Sequence, residues 1–468
     1  MKPQFIFNLL IIGILAISCN NTNQQENKNE STQKVFKPGT LNERIPCAQN
    51  PVYSYTLYLP SYYSPEKLYP AIVVFDAHAR GKMAARRFAE ASEKFGYIIF
   101  ASDNAKNGFE KIDDVVNALF TDVFAFKGID KKRVYTAGFS GGAKVASSTA
   151  IYKGGIKGVI ACAGGMPKVG QELSTSFDYV SMVGLNDFNY HELKTLDKAL
   201  TENGFTNEFF TFDGSHEWPS QTDLSRAVEW LELMAMKQKL IPVNDNFVRN
   251  YLNTYADSIN KCLLTGKEYK AWQLYTILLK DLDGFYDVSD FKKSFEALLK
   301  NPALNNSIKA DEKIITGEQN KQQDLLEMFK SGNYNTIKTE IGKLNKEALD
   351  KDELKLHSAK RLLGFIGMLC YMYTENAVNS QNVQAYKGTI EIYELVDPKN
   401  PDKEFYKACQ AMMENNPDKA LDYLKKAISF GYYDADRLQQ IGYFEQLRTK
   451  PEFDLIVKQA MENFNNQK

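Results

Sequence analysis

At 468 residues the chain is too long for one ordinary hydrophobic core, so at least two domains are expected. Hydrophobic residues at 44% and charged residues at 25% match a soluble globular protein. A formal net charge of −1 leaves no electrostatic footprint for nucleic acid or an acidic lipid surface, and nucleic-acid binding is set aside on that ground.

The N-terminus reads as a sorting segment. Lys2 supplies a minimal positive region, and Phe5–Ile17 is an apolar stretch too short for a comfortable membrane span. It ends in Leu15-Ala16-Ile17-Ser18-Cys19, which resembles the lipobox of bacterial lipoproteins, with Ala16 where Leu is usual. The resemblance implies a signal peptide over 1–18, lipidation at Cys19 and a tether to a membrane of the bacterial envelope. A plain secretory signal with an incidental cysteine is the alternative. Asn20–Lys34 has no large apolar residue and cannot bury a core, so 19–37 is expected to be a linker. A flexible chain of that length spans roughly 20 Å.

The remaining cysteines, Cys47, Cys162, Cys262, Cys370 and Cys409, are odd in number and suit neither a zinc site nor a disulfide framework. Cys162 lies within an apolar run and is expected to be a buried thiol. Export would permit Cys47 a disulfide. No metal is implied.

From about Val52 to Met236, short β-rich runs alternate with helical patterns. Strands are expected at Ser54–Leu59, Ala71–Phe75, Tyr97–Ala101, Arg133–Ala137, Gly158–Ala163, Tyr179–Val183 and Glu208–Phe212. Helices are expected at Met83–Phe95, Asp113–Phe124, Ala143–Ile151, His191–Asn203 and Thr222–Met236. Several strands are continuous apolar runs, as strands covered on both faces should be. The alternation predicts an α/β domain over 38–240 with a doubly wound, mostly parallel sheet.

Beyond about Leu240 helical spacing dominates, giving an all-α region over 241–468. Phe405–Gly431 reads as two helices around Asn415-Asn416-Pro417. Ala408, Ala420, Leu424 and Ala427 sit where a tetratricopeptide repeat places its small and apolar packing residues. One repeat length upstream stand Tyr386, Ile390, Tyr393 and a helix-ending Pro398. The region resembles tetratricopeptide repeats, with only the final unit clear; an irregular helical bundle is the alternative. Tyr269–Lys300 reads as a further helical pair.

Gly138-Phe139-Ser140-Gly141-Gly142 is a G-x-S-x-G pattern. A nucleophile elbow needs an apolar strand, a tight turn with Ser at its apex, and a helix packed closely behind. Val134–Ala137 supplies the strand, and Gly138 and Gly142 flank Ser140 where a Cβ would crowd the bend. The following helix opens with small residues. A serine hydroxyl needs a neighbouring base oriented by a carboxylate, and the chain has only four histidines. His357 lies in the helical region and reads as a surface or packing residue. His191 opens a helix and reads as structural. His216 sits in the loop after the last strand, where the chain order Ser, acid, His places the base. Asp187, in the loop after the preceding strand, occupies the slot for the acid. Asp213 is the fallback, and Asp178 lies at the wrong end of its strand.

With these residues in order, Val52–Met236 resembles the α/β-hydrolase superfamily of serine hydrolases, and more narrowly its exported esterase-like members. The resemblance implies an eight-stranded, mostly parallel sheet, with Ser140 as nucleophile, His216 as general base and Asp187 orienting it. It implies the Gly141 N–H as one oxyanion donor and a second donor from the loop after Ala71–Phe75. The usual His-Gly pair is missing there; Ala77 and His78 are both candidates, and the His78 amide is favoured. No cofactor is required. About fifteen residues separate Ala163 from the strand of Asp187, too few for a large inserted lid, so a fairly open cleft is expected. The loop Ser102–Gly108 offers Asn104 or Lys106 to a polar substrate, against the plainer reading of a solvated turn. Trp218 is a candidate for the leaving-group pocket, against a role in packing alone. The expected substrate is a small-molecule or polymer-linked ester. The competing readings are an exported serine peptidase, since the same constellation cleaves amides, and an envelope binding or assembly protein that takes a protein partner on its helical region.

Overall fold

The computed structural model describes residues 36–167 and 177–466. The expected signal peptide, Cys19 and the spacer Asn20–Lys34 lie outside the described residues, as does part of the segment judged too short for a lid. No helix among the described residues is long and apolar enough to cross a membrane.

The first half of the chain supplies eight strands: β1 (Leu41–Pro46), β2 (Ser54–Tyr58), β3 (Tyr69–Asp76), β4 (Ile98–Ser102), β5 (Ile129–Phe139), β6 (Gly158–Cys162), β7 (Asp178–Gly184) and β8 (Asn207–Phe212). They form one sheet in the order β1-β2-β4-β3-β5-β6-β7-β8. β2 is antiparallel to both β1 and β4, and every other pairing is parallel. The helices between them are α1 (Gly81–Arg87), α2 (Ala89–Phe95), α3 (Ile112–Ala125), α4 (Gly141–Lys153), α5 (Tyr190–Glu202) and α6 (Gln221–Lys237). Every residue of β3, β4, β6 and β7 is buried, because helices cover both faces. The result is a doubly wound, mostly parallel α/β sheet with an antiparallel edge.

The strand order has one consequence for function. From β3 the chain crosses to β4 on one side, then to β5 on the other. The connections leaving β3 and β5 therefore turn to opposite sides at the carboxyl ends of these strands, the switch point that is the usual ligand position in an open α/β sheet. Ala77 and Ser140 are the first residues beyond these two strands.

Two local features differ from the sequence reading. β1 is an additional strand without a strand signal in sequence, because half of LNERIP is polar and it ends in proline; it lies at the sheet edge with an irregularity between Asn42 and Ile45, where such residues are tolerated. The single helix expected at Met83–Phe95 is two helices meeting at Phe88, whose ring is fully buried edge-on to Trp218.

The second half adds α7 (Asp245–Leu264), α8 (Glu268–Leu282), α9 (Ser289–Leu299), α10 (Pro302–Lys330), α11 (Tyr334–Glu347), α12 (Glu353–Asn379), α13 (Val383–Val396), α14 (Pro401–Met413), α15 (Pro417–Ser429), α16 (Ala435–Gln440) and α17 (Pro451–Asn465). The sheet's core continues into this half through Val248, Tyr251, Tyr275 and Leu278. Asp281 is buried at the junction and accepts from Trp230 Nε1 at 2.8 Å and from Tyr251 Oη at 2.6 Å. Lys37–Lys468 is accordingly one compact unit.

The two helices expected in Phe405–Gly431 are α14 and α15. Asn416 caps α15 by accepting from the Lys419 N–H, and Pro417 occupies its first turn. Ala408, Ala420, Leu424 and Ala427 are buried in one cluster with Phe405 and Tyr432. α13 ends two residues before Pro398, and the pair expected in Tyr269–Lys300 is α8 and α9. The five described cysteines are free, with Cys262 alone partly accessible. Burial, reinforced by Asp122 and Asp103, pushes the Cys47 thiol up to about 12.

Candidate active site

β5 runs buried from Arg133 to Phe139 and stops at Ser140, whose φ of 54° and ψ of −117° lie outside the regions an L-residue prefers. Such strain persists only where surrounding contacts impose it. The Ser140 N–H donates to the Cys162 carbonyl at 2.8 Å, and its own carbonyl accepts from the Ala143 N–H at 3.1 Å. A Cβ on Gly138 would collide with the Gly142 carbonyl, and one on Gly142 with the carbonyl of Phe75. The buried, small face of α4 (Ala143, Ala146, Ser147) lets this helix sit directly on the sheet. Ser140 itself remains partly accessible.

His216 Nε2 lies 3.0 Å from Ser140 Oγ. Its other ring nitrogen, Nδ1, lies 3.1 Å from both carboxylate oxygens of Asp187. Asp187 is fully buried, and its Oδ1 also accepts from the Asn189 N–H at 2.9 Å. Asn189 in turn donates through its side chain to the Ala163 carbonyl at 2.9 Å, tying the loop after β7 to the end of β6. Asp213, the alternative acid, is exposed. Ser140, Asp187 and His216, separated by up to 76 positions in sequence, thus stand in one continuous line.

The imidazole is packed against aromatic rings. Phe188 stacks on it with centroids 4.4 Å apart, and the Phe139 ring lies 5.0 Å from it at a tilt of 43°. Trp218 stacks in turn on Phe139 at 5.4 Å. Trp218 is buried and donates its indole N–H to Asp76 Oδ2 at 2.8 Å, so its role is packing and bracing rather than lining a leaving-group pocket. Asp76 ends β3 and also pairs with Arg80 at 2.7 Å. Burial pushes the Asp76 carboxyl up, but Arg80 and the Trp218 indole outweigh this and hold it below the usual carboxylate range.

The Gly141 N–H is the first of α4, where helical N–H groups have no partner inside the helix and attract developing negative charge. The His78 N–H is already engaged, donating to Asp76 Oδ1 at 2.9 Å. Of the two residues considered for the second donor, this leaves Ala77. Asn104 is likewise committed elsewhere, since its Oδ1 accepts from the Ser54 N–H at 2.7 Å and secures the start of β2. Lys106 is exposed and pairs with His78 across a short antiparallel bridge. The residue of this loop that reaches the site is Asn107, which carries no signal of its own in the sequence. Its N–H donates to the Ala77 carbonyl at 2.8 Å, and its Oδ1 occupies the space a Cβ on Gly141 would need.

The helical half supplies part of the rim. Tyr433 meets the His78 ring edge-on at 5.9 Å and lies under the Arg80 guanidinium at 5.8 Å. His357, which reads from sequence as a surface or packing residue, places Nδ1 2.7 Å from Asn186 Oδ1, beside the acid loop. His191 is buried with Nε2 2.6 Å from Glu318 Oε1, a structural position.

The fold class rests on the strand order and on the serine turn at its switch point. No protein-family model matches the chain, and no curated protein matches it. Solved structures similar to it include an esterase from Pyrobaculum calidifontis, 14% identical with a TM-score of 0.36 over 42% of this chain and 87% of that one. An S-formylglutathione hydrolase from Staphylococcus aureus is 13% identical, with a TM-score of 0.33 over 38% of this chain and 90% of that one. A fluorophosphonate-binding serine hydrolase from the same organism is 14% identical, with a TM-score of 0.34 over 42% and 98%.

Proposed function

We propose that the chain is a serine hydrolase that cleaves carboxylic esters through an acyl-enzyme. The observation that carries this reading is the line Ser140 Oγ–His216 Nε2–Asp187, with 3.0 and 3.1 Å contacts, at the carboxyl end of β5. Ser140 Oγ attacks the ester carbonyl carbon while its proton passes to His216 Nε2. The imidazolium that forms faces the buried Asp187 carboxylate, which fixes the tautomer and stabilises the charge. The carbonyl oxygen becomes an oxyanion directed at the Gly141 N–H, with Ala77 as the candidate for the second donor. The tetrahedral intermediate then expels the alcohol, which takes the proton from His216. Water, deprotonated by the same ring, attacks the acyl-enzyme and restores Ser140.

The cellular setting belongs to the same proposal and rests on the sequence: export, lipidation at Cys19, and an envelope location for the hydrolase. A tetratricopeptide-like register in the helical half, presenting a surface to a protein partner, is supported by the buried Ala408, Ala420, Leu424 and Ala427. The hydrolase reading is tested by turnover of p-nitrophenyl acetate by protein lacking residues 1–35. Ser140→Ala is expected to remove it, and unchanged turnover in that variant ends the assignment.

A further inference from the structure

The loop carrying Asp187, residues 185–188, is gripped from two sides. Its N–H groups face the sheet: Leu185 donates to the Phe212 carbonyl, Asn186 to the Gly214 carbonyl and Asp187 to the Gly184 carbonyl, at 2.9, 2.9 and 3.0 Å. Its outward groups are met by the helical half. Arg361 Nη1 on α12 donates to the Leu185 carbonyl at 2.8 Å, and Gln322 Nε2 on α10 donates to the Phe188 carbonyl at 3.3 Å. His357 reaches the Asn186 side chain at 2.7 Å, and Gly364 lies close enough to Phe188 that an added Cβ would stand 3.7 Å from its ring. His357, Arg361 and Gly364 follow at i, i+4 and i+7, one face of a helix.

Arg361 is itself fixed. Its guanidinium makes a two-pronged pair with Glu318 at 2.9 and 2.8 Å, and it lies over the Tyr190 ring at 4.6 Å. Both charges are buried, and His191 lies against the same carboxylate. A buried ion pair is a poor source of stability, since desolvation offsets most of the attraction. Its benefit here is geometric, because it aims one rigid donor at the peptide two residues before Asp187.

We infer that Arg361 is a positioning residue for the catalytic acid, so that the helical half completes the active site of the hydrolase half. Phe188, one residue beyond Asp187, stacks on His216, so displacement of this loop moves the acid and the imidazole together. The inference rests on the proposed Ser140 hydrolase.

The experiment is steady-state hydrolysis of p-nitrophenyl acetate by the full chain. Arg361→Ala would strand the Glu318 charge, so the informative variant is Arg361→Met with Glu318→Gln, which removes both charges together. The expected result is a kcat lower by roughly tenfold to a hundredfold, from misplacement of the acid, with KM within about twofold and Arg361→Lys intermediate. Arg133, six residues before the end of β5, pairs with Glu232 on α6, and both are buried; Arg133→Met with Glu232→Gln removes this pair, away from the acid loop, and is expected to leave kcat unchanged. If the Arg361 double variant does not fold, Gln322→Ala and His357→Ala are expected to lower kcat by several-fold each. A folded Arg361 double variant, or failing that both single variants, with kcat within twofold of the parent overturns the inference, as does an equal loss in the Arg133 control. Ser140→Ala run alongside separates the two claims: retained turnover there defeats both, whereas lost turnover with normal Arg361 variants defeats only the positioning role.

Discussion

Phe188 lies nearly flat on the His216 imidazole, with ring centroids 4.4 Å apart and 28° between planes. The ring belongs to the loop of Asp187, so one short segment both brings a carboxylate to His216 Nδ1 and packs on the face of its ring. Stacked aromatic pairs contribute about 0.5–1.5 kcal/mol beyond their burial. Phe188→Ala is therefore expected to lower kcat for p-nitrophenyl acetate by roughly tenfold through looser orientation of the base. Phe188→Tyr is expected to retain most of the rate, and equal losses in the two variants would contradict a stacking role.

Trp218→Phe keeps a ring against Phe139 and removes the indole N–H from the buried Asp76. Loss of one donor to a buried acceptor costs about 1–3 kcal/mol, measurable as a lower urea midpoint. Relative rates across esters of different alcohols are expected to stay constant. A change in alcohol preference would restore Trp218 to the leaving-group pocket.

Asn107 stands against Gly141, the first oxyanion donor of the proposed mechanism. Asn107→Asp puts a carboxylate where negative charge must develop, and is expected to lower kcat by about the 10²-fold effect of losing one donor. Asn107→Ala is expected to cost less. Rates within twofold for the aspartate variant would remove Asn107 from the site.

Burial, reinforced by Asp281, raises the Glu208 carboxyl to about 8 despite its pairing with Lys280 at 2.9 Å. The folded protein thus keeps a proton that the unfolded chain releases near pH 4.3. This contribution to stability is full below about pH 4.3 and is lost as the pH rises to about 8. Glu208→Gln is expected to flatten the fall in melting temperature between pH 5 and 8, relative to the parent. An equally steep fall in the variant would contradict it.

Much of the α/β half is legible in the sequence because its signals are local. Apolar runs mark β3 to β8, the glycines flanking Ser140 mark the turn, and the order of loops puts Asp187 and His216 where the structure brings them together. What escapes the sequence depends on partners far along the chain or on how a loop folds. The His78 amide reads as available, but Asp76 folds back onto it, and Trp218 meets Asp76 across 142 positions. Asn104 and Asn107 lie in one loop, and only the pairing of that loop with Ala77 and His78 decides which side chain lies against Gly141. Arg361 has no local signature: its place follows from a helix docking 176 positions beyond the carbonyl it holds.

The central claim is that Ser140 is a nucleophile activated by His216. Intact-mass spectrometry after treatment with a fluorophosphonate tests it most directly. The account predicts a single phosphonyl adduct on the parent protein, mapped to the peptide containing Ser140, and no adduct on Ser140→Ala. An unmodified parent, or an adduct that persists in Ser140→Ala, would contradict it.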